Sequence, residues 1–357
     1  MMEKKKITVP NGMRDLIFEE VTAERELEGR INGLLDELGY RPVRTPAVEY
    51  YDLFDQSNRY IDETQMYKLT DGDGRLIVLR PDNTAPIARL VCSKLHAESF
   101  PLLIRYDQRV FRNSAAYNAL RNEVLQAGVE VIGGDRQSED LRVLFTAFET
   151  LSLCGGDYKI EIGHAQFFDA LIDTLALSAD EKKSVKAYLA AKNSSMMPFG
   201  VSAGQSRALD IARELPRLCG GAEILAESRR LAGSSGRAAA IVDYVESVYN
   251  AFIESGYADR IIIDMGIVQR IEYYTGIVFK GYIGGIGAPV LSGGRYDQLY
   301  SGFGRELTAC GFALDVSDVA ASQAAPRGKP APPLDFSKGA ASISAAKACL
   351  EKGGRRR

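Results

Sequence analysis

Histidine is nearly absent from this sequence of 357 residues. Only His96 and His164 occur, and they lack the H-E-x-x-H spacing of a helical zinc site, so no histidine-based metal centre is expected. Cysteine is sparse as well. Cys92, Cys154, Cys219, Cys310 and Cys349 are far apart, odd in number and never in a C-x-x-C pair. That pattern argues against a disulfide framework or a zinc ribbon and fits a reducing compartment. No apolar run approaches the ~18 residues of a membrane span. The N-terminal MMEKKKITVPNG is basic with no apolar segment behind it, unlike a secretory signal. A cytoplasmic protein without metal or cofactor is the expectation. The net charge is only −3, so the surface as a whole is no nucleic-acid magnet. G-x-G-x-x-G, P-loop and G-x-S-x-G patterns are missing; the glycines of YIGGIGAP lie between strand-like runs and read as a turn.

What is present is ordinary for a soluble globular chain: 46% hydrophobic and 25% charged residues, enough for a core that needs no covalent staples. Val21, Leu27, Ile31, Leu34, Leu35 and Leu38 recur at mostly three- and four-residue steps, which predicts a helix with one apolar face stopped at Gly39. In GYRPVRTPAVEY, Pro42 and Pro46 forbid a helix and predict extended chain. RLIVL at 75–79 and the alternating Tyr158–Ile162 predict strands. RIIIDMG, EYYTGIVFKGY, APVLSGG and ACGFALDV crowd between Ala258 and Val316 without helix-length connectors, which predicts antiparallel pairing. Between these strand regions, about 165–255 reads as helical. There Ile241, Tyr244, Val245, Val248, Tyr249 and Phe252 form a core-facing stripe ended by Gly256. Residues 321–357 read as a Pro/Ala/Gly linker and a short tail, too small for a domain.

Six segments, in order from Pro10 to Val319, resemble signature blocks of histidyl-tRNA synthetase and its paralogues: PNGMRDL, LRPDNTAPIAR, FRNSAAYNALRNEVLQAGVEVIGG, IEYYTGIVFKGY, SGGRYDQLYSGFG and ACGFALDVSDV. The third resembles the class II motif 2 strand–loop–strand, the fourth and fifth the two histidine-specific blocks, and the sixth stands in the place of motif 3. The resemblance implies an α+β fold over residues 1–320. It would be a class II aminoacyl-tRNA synthetase-like core, a mostly antiparallel sheet flanked by helices, with a helical insertion at about 165–255 and no anticodon-binding domain.

A site for a free amino acid needs acidic or hydroxyl groups for its ammonium and polar partners for a ring. By resemblance, Asp82 and Thr84 match positions that contact the ammonium. Gln126 and Glu130 match the Q-x-G-x-E positions that hold the amino acid, Tyr274 matches a ring-contacting tyrosine with Tyr273 beside it, and Arg112 is the retained motif 2 arginine. The plainer alternatives are that Asp82 organises the turn after Pro81 and that the two tyrosines pack on a strand. Adenylation needs preplaced cations for the phosphates of ATP, and here the pattern departs. Ser114 replaces the motif 2 glutamate. Gln269 stands where an arginine is wanted, with Arg270 one place along and so on the other face of a strand. Ser317 and Asp318 occupy the Glu-Arg pair of motif 3, and Asp315 replaces a small glycine. Arg105, Arg109, Arg112 and Arg121 form either a basic strip beside the pocket or a solvated or salt-bridged surface, the second being favoured.

An amino-acid pocket without phosphate chemistry is what the family's non-catalytic, regulatory branch would have. That likeness implies no catalytic residues. It implies a partner, the short catalytic subunit of ATP phosphoribosyltransferase, with L-histidine as effector and self-dimerisation within a hetero-oligomer, and neither tRNA nor membrane as a partner. The rival readings are an active histidyl-tRNA synthetase, which would carry out histidine-dependent ATP–pyrophosphate exchange, and a synthetase-like amino-acid or tRNA sensor, which would bind tRNA with steep salt dependence.

Overall fold

The computed structural model describes residues 8–56, 61–113, 121–175, 177–182, 184–185, 203–267 and 274–324, with 344, 347 and 348. Met1–Gln323 form one compact unit and Ala324–Arg357 a second.

The first unit opens with α1, Glu19–Glu37, whose Leu27, Ile31 and Leu35 are fully buried. Their four-residue spacing is the apolar stripe read in the sequence. Gly39 follows at φ +85°, a left-handed turn that favours glycine. The proline-rich stretch contains two short strands, β1 (Arg41–Pro42) and β2 (Val48–Tyr50). After α2 (Asp52–Gln56), β3 (Lys68–Thr70) and β4 (Leu76–Leu79) join β2 in a small antiparallel sheet, order β2-β4-β3. Next come α3 (Thr84–Lys94), β5 (Leu102–Phe111), β6 (Glu123–Ile132), α4 (Arg136–Cys154) and β7 (Tyr158–His164). The chain is then helical in α5 (Phe167–Ile172), α6 (Ala203–Glu214), α7 (Glu223–Ala232) and α8 (Gly236–Glu254), interrupted by β8 (Cys219–Gly220). It ends with β9 (Ile261–Asp264), β10 (Ile277–Ile283), β11 (Leu291–Arg295), β12 (Ala309–Asp315) and α9 (Val316–Gln323).

The main sheet has nine strands in the order β1-β5-β6-β12-β11-β10-β7-β9-β8. Pairing from β5 through β7 is antiparallel throughout, as an α+β class II synthetase-like core requires. One expectation fails. β9 does not join β10, β11 and β12 in antiparallel succession; it lies parallel to β7, Ile160 opposite Ile261. The reason is the connection before β9, not those after it. The helices α5 to α8 supply the long crossover that a parallel pair needs, and β9 returns beside the strand from which that crossover left.

Burial divides along the two faces of the sheet. On one, α1, α4 and α8 enclose a large core that includes Phe148, stacked on Phe252 of α8 at 4.9 Å between ring centroids. Ile241, Val245, Val248, Tyr249 and Phe252 are buried as the stripe predicts, and Gly256 closes the helix at φ +93°. Tyr244 departs from that role: it is partly buried, and its hydroxyl bonds Asp140 of α4. On the other face, α3 covers Ile104, Tyr106, Tyr296 and Tyr300. The sheet is left open beside α3.

Candidate amino-acid site

Strand alternation builds the floor of this opening. In β6, residues two apart share a face, so Gln126, Gly128 and Glu130 point together toward it. The β6–β12 register sets them opposite Asp315, Ala313 and Gly311. Above them is a cleft of about 780 Å³, lined by all of these except Gly128, with Asp82, Asn83, Thr84, Tyr106, Arg112, Tyr274 and Tyr296 around it. Two glycines keep it open. A Cβ on Gly311 would collide with the Glu130 carboxylate, and one on Gly128 would stand 2.5 Å from the Tyr106 hydroxyl.

Glu130 is the most deeply buried carboxyl of the cleft lining. It is 2% exposed, accepts from Thr84 Oγ1 at 3.0 Å on one oxygen, and from the Tyr296 hydroxyl on the other. Burial pushes its carboxyl up to about 8. The Tyr296 and Thr84 hydrogen bonds hold it down in part, and the nearby Asp82 raises it further. Gln126 donates from Nε2 to Asp315 Oδ1 at 2.8 Å. Asp315 is itself raised from the ordinary aspartate range, by burial first, against the pull of Gln126 and Arg112. Arg112 donates from Nε to the Pro81 carbonyl at 2.8 Å, which fixes its guanidinium at the rim of the cleft.

Asp82 plays both roles considered for it. Its Oδ1 accepts from the Ala85 amide at 3.4 Å, organising the first turn of α3 after Pro81, and it lines the cleft. Tyr274 lies in the cleft wall, its ring 2.8 Å from where a Cβ on Gly294 would be. Thus Asp82, Thr84, Arg112, Gln126, Glu130 and Tyr274 are all brought together. Tyr273, Ser114, Gln269 and Arg270 lie outside the described residues.

Two further residues complete the site and were not singled out by sequence reasoning. Tyr296 belongs to SGGRYDQL, a block already recognised, but its contact with Glu130 depends on the end of β11 lying across β12 from β6. Asn83 sits between Asp82 and Thr84. It accepts from Gln108 Nε2 at 3.2 Å and donates toward Gln126 Oε1 at 3.5 Å, so it orients the glutamine. A spacing pattern can rank neither of them above its neighbours.

The motif 3 expectation needs a correction of place. Neither Ser317 nor Asp318 lines the cleft. The chain leaves β12 for α9 at Val316, and the two side chains turn away with it. Ser317 is buried against Glu24, 2.8 Å away, and Asp318 lies 3.4 Å from Arg121. The repulsive carboxylate in the cleft is Asp315. The four arginines largely follow the favoured alternative. Arg105 pairs with Asp36 at 2.7 Å, Arg109 with Glu24 at 2.5 Å, and Arg121 with Asp318; only Arg112 of the four lines the cleft. Among the described lining residues, the carboxyls of Asp62, Glu63, Asp82 and Asp315 share the cleft with one arginine, Arg112, and with Glu130, whose proton is held up to about pH 8. A triphosphate entering this space meets far more repulsion than attraction, whereas a small ligand with a cationic or N–H-rich end is suited to it.

Among the described residues, no helix is long and apolar enough to cross a membrane and no group of three or more His, Cys, Asp or Glu side chains is arranged to hold a metal ion.

The sheet order and the cleft between β6, β12 and α3 define a class II synthetase-like protein, and a family model described as Histidyl-tRNA synthetase matches residues 12–319. Over 323 residues the chain is 36% identical to the ATP phosphoribosyltransferase regulatory subunit of Bacillus mycoides (strain KBAB4), covering 89% of this chain and 76% of that protein. Over 319 residues it is 35% identical to the protein of the same name from Clostridium acetobutylicum, covering 88% and 78%. A solved structure described as an ATP phosphoribosyltransferase regulatory subunit/histidyl-tRNA synthetase from Bacillus halodurans C matches with a TM-score of 0.82 at 28% identity, over 98% of this chain and 92% of that one. The chain belongs to the ATP phosphoribosyltransferase regulatory subunit family, a branch of the histidyl-tRNA synthetase-like proteins.

Proposed function

We propose that this chain is the non-catalytic subunit of an ATP phosphoribosyltransferase, a glycosyltransferase complex of the cytoplasm. It activates a short catalytic subunit and passes on feedback inhibition by L-histidine in the first step of histidine biosynthesis. The observation that carries this reading is the cleft itself. Its described lining keeps the residue types an amino acid needs, with Arg112 the one arginine or lysine there to meet phosphates. The chain self-associates within the hetero-oligomer, L-histidine occupies the cleft, and tRNA is not a ligand.

In this reading the ammonium of L-histidine lies near Asp82 and Thr84, the ring beside Tyr274, and an imidazole N–H donates to Glu130. That last bond favours the ionised carboxylate. Because Glu130 holds its proton up to about pH 8, binding at neutral pH releases a proton. Affinity therefore rises by up to ~10-fold per pH unit below that point and levels off above it. Histidine inhibits because it binds one state of the assembly more tightly than another.

The test is formation of phosphoribosyl-ATP by a purified short catalytic subunit, with and without this chain and with and without L-histidine. The expected result is a gain in activity of at least ~10-fold on addition of the chain, with histidine reversing it. Activity that ignores the chain overturns the proposal.

A further inference from the structure

Behind the cleft lies a second set of buried charges, which the site described above does not use. Arg295, at the end of β11, is 3% exposed, and Asp140 of α4 is 1% exposed. The guanidinium reaches Asp140 Oδ1 from Nε at 2.9 Å and from Nη2 at 2.7 Å. It also donates to Asp297 Oδ1 at 2.9 Å and to the Arg136 carbonyl at 2.9 Å. Asp297 is pinned in turn: its Oδ1 accepts from the Ala309 amide at 3.0 Å, and its own amide donates to Thr275 Oγ1 at 3.1 Å. The residue between Arg295 and Asp297 is Tyr296, whose hydroxyl bonds Glu130. On the other side, Asp140 Oδ2 accepts from the hydroxyl of Tyr244, on α8 of the helical region. The tyrosine in the cleft is thus flanked by Arg295, locked to Asp140 of α4, and by Asp297, whose Oδ2 lies 2.8 Å from the Arg136 guanidinium of α4, and Asp140 is held by α8 as well.

We propose that the Arg295–Asp140 pair is a positioning device that ties Tyr244 of α8 to the Tyr296–Glu130 pair of the cleft, so that occupancy of the cleft by L-histidine and the seating of α8 on α4 are coupled. It rests on the histidine reading above and adds to it a route by which the helical region senses the ligand. Arg295 is a positioning residue here and does not touch the ligand. The coupling works because a buried charged pair tolerates little displacement: a shift of Asp140 drags the guanidinium, and with it the backbone on both sides of Tyr296. Reciprocity requires that whatever moves α8 change histidine affinity, and that histidine change the mobility of α8 by the same coupling.

The test uses Tyr244→Phe, which deletes one hydroxyl and keeps the ring. Ser247→Ala serves as a control, because Ser247 makes another α8–α4 contact, with Gln137 at 3.5 Å, outside the charged set. L-Histidine binding is measured by calorimetry from pH 6 to pH 9, and hydrogen exchange of α8 is followed with and without ligand. Tyr244→Phe is expected to weaken binding ~5- to 20-fold. It should also move the inflection of the affinity profile above that of the wild type, since a loosened Tyr296 no longer holds the Glu130 proton down. The other titratable groups facing Glu130 are Asp82, Tyr106, Tyr300 and Cys310; none of them is altered by the substitution. Histidine should slow exchange in α8 of the wild type and not in Tyr244→Phe, and Ser247→Ala should behave as wild type. Equal affinity and an equal inflection in Tyr244→Phe overturn the coupling, as does the same loss in Ser247→Ala, which would mark mere loosening of the helix. A wild-type chain that binds no histidine sinks the parent reading together with this one.

Discussion

L-Histidine affinity is expected to fall ~10- to 100-fold in Glu130→Ala, the range set by one hydrogen bond to a charged group. Glu130 accepts hydrogen bonds from both Tyr296 and Thr84 of the site, which fixes its carboxyl in the floor of the cleft. Glu130→Gln separates charge from shape. It should bind weakly and lose the rise of affinity between pH 6 and 8, because no titrating group remains at that point. The fold should survive both changes. A carboxyl whose folded-state value is raised from 4.5 to about 8 contributes most below pH 4.5. Its contribution is lost as the pH climbs through 8, so removing it is least harmful in alkaline solution. Calorimetry on the three proteins at pH 6, 7 and 8 checks the set. Equal affinity in wild type and Glu130→Ala excludes the pocket as the histidine site.

Arg295→Ala should have the largest effect on stability of any single cleft-side change, about 3–5 kcal/mol in urea unfolding. The guanidinium and Asp140 are both within 3% of complete burial, and truncation leaves the Tyr244 hydroxyl as the partner of Asp140 among the described residues. Asp140→Asn with Arg295 intact should lose less, because the amide oxygen still accepts. A loss below about 1 kcal/mol for Arg295→Ala would mean that water replaces the guanidinium without penalty, contrary to the burial observed.

How much of this could be read in advance differs from residue to residue. The alternation Gln126-x-Gly128-x-Glu130 places three positions on one strand face whatever the rest of the fold does, and that part of the site was legible. So was α1, whose buried stripe is a local periodicity. The parallel placement of β9 was not, because it depends on where a long helical crossover returns. The resemblance places Asp318 in motif 3 but not in the cleft, because order along a sequence does not set the direction of a side chain where a strand passes into a helix at Val316. Tyr296 and Arg295 are adjacent where β11 ends, one lining the cleft and the other reaching α4. That division of roles is visible only once the sheet has neighbours on both faces.

The account stands on the cations of the cleft: among its described lining residues Arg112 is the one arginine or lysine, where an activated nucleotide needs several preplaced cations. The most direct measurement is exchange of labelled pyrophosphate into ATP in the presence of L-histidine and magnesium. The predicted result is no exchange above the rate without protein. Histidine-dependent exchange at a steady rate would show that histidyl-adenylate forms here and would contradict the non-catalytic assignment.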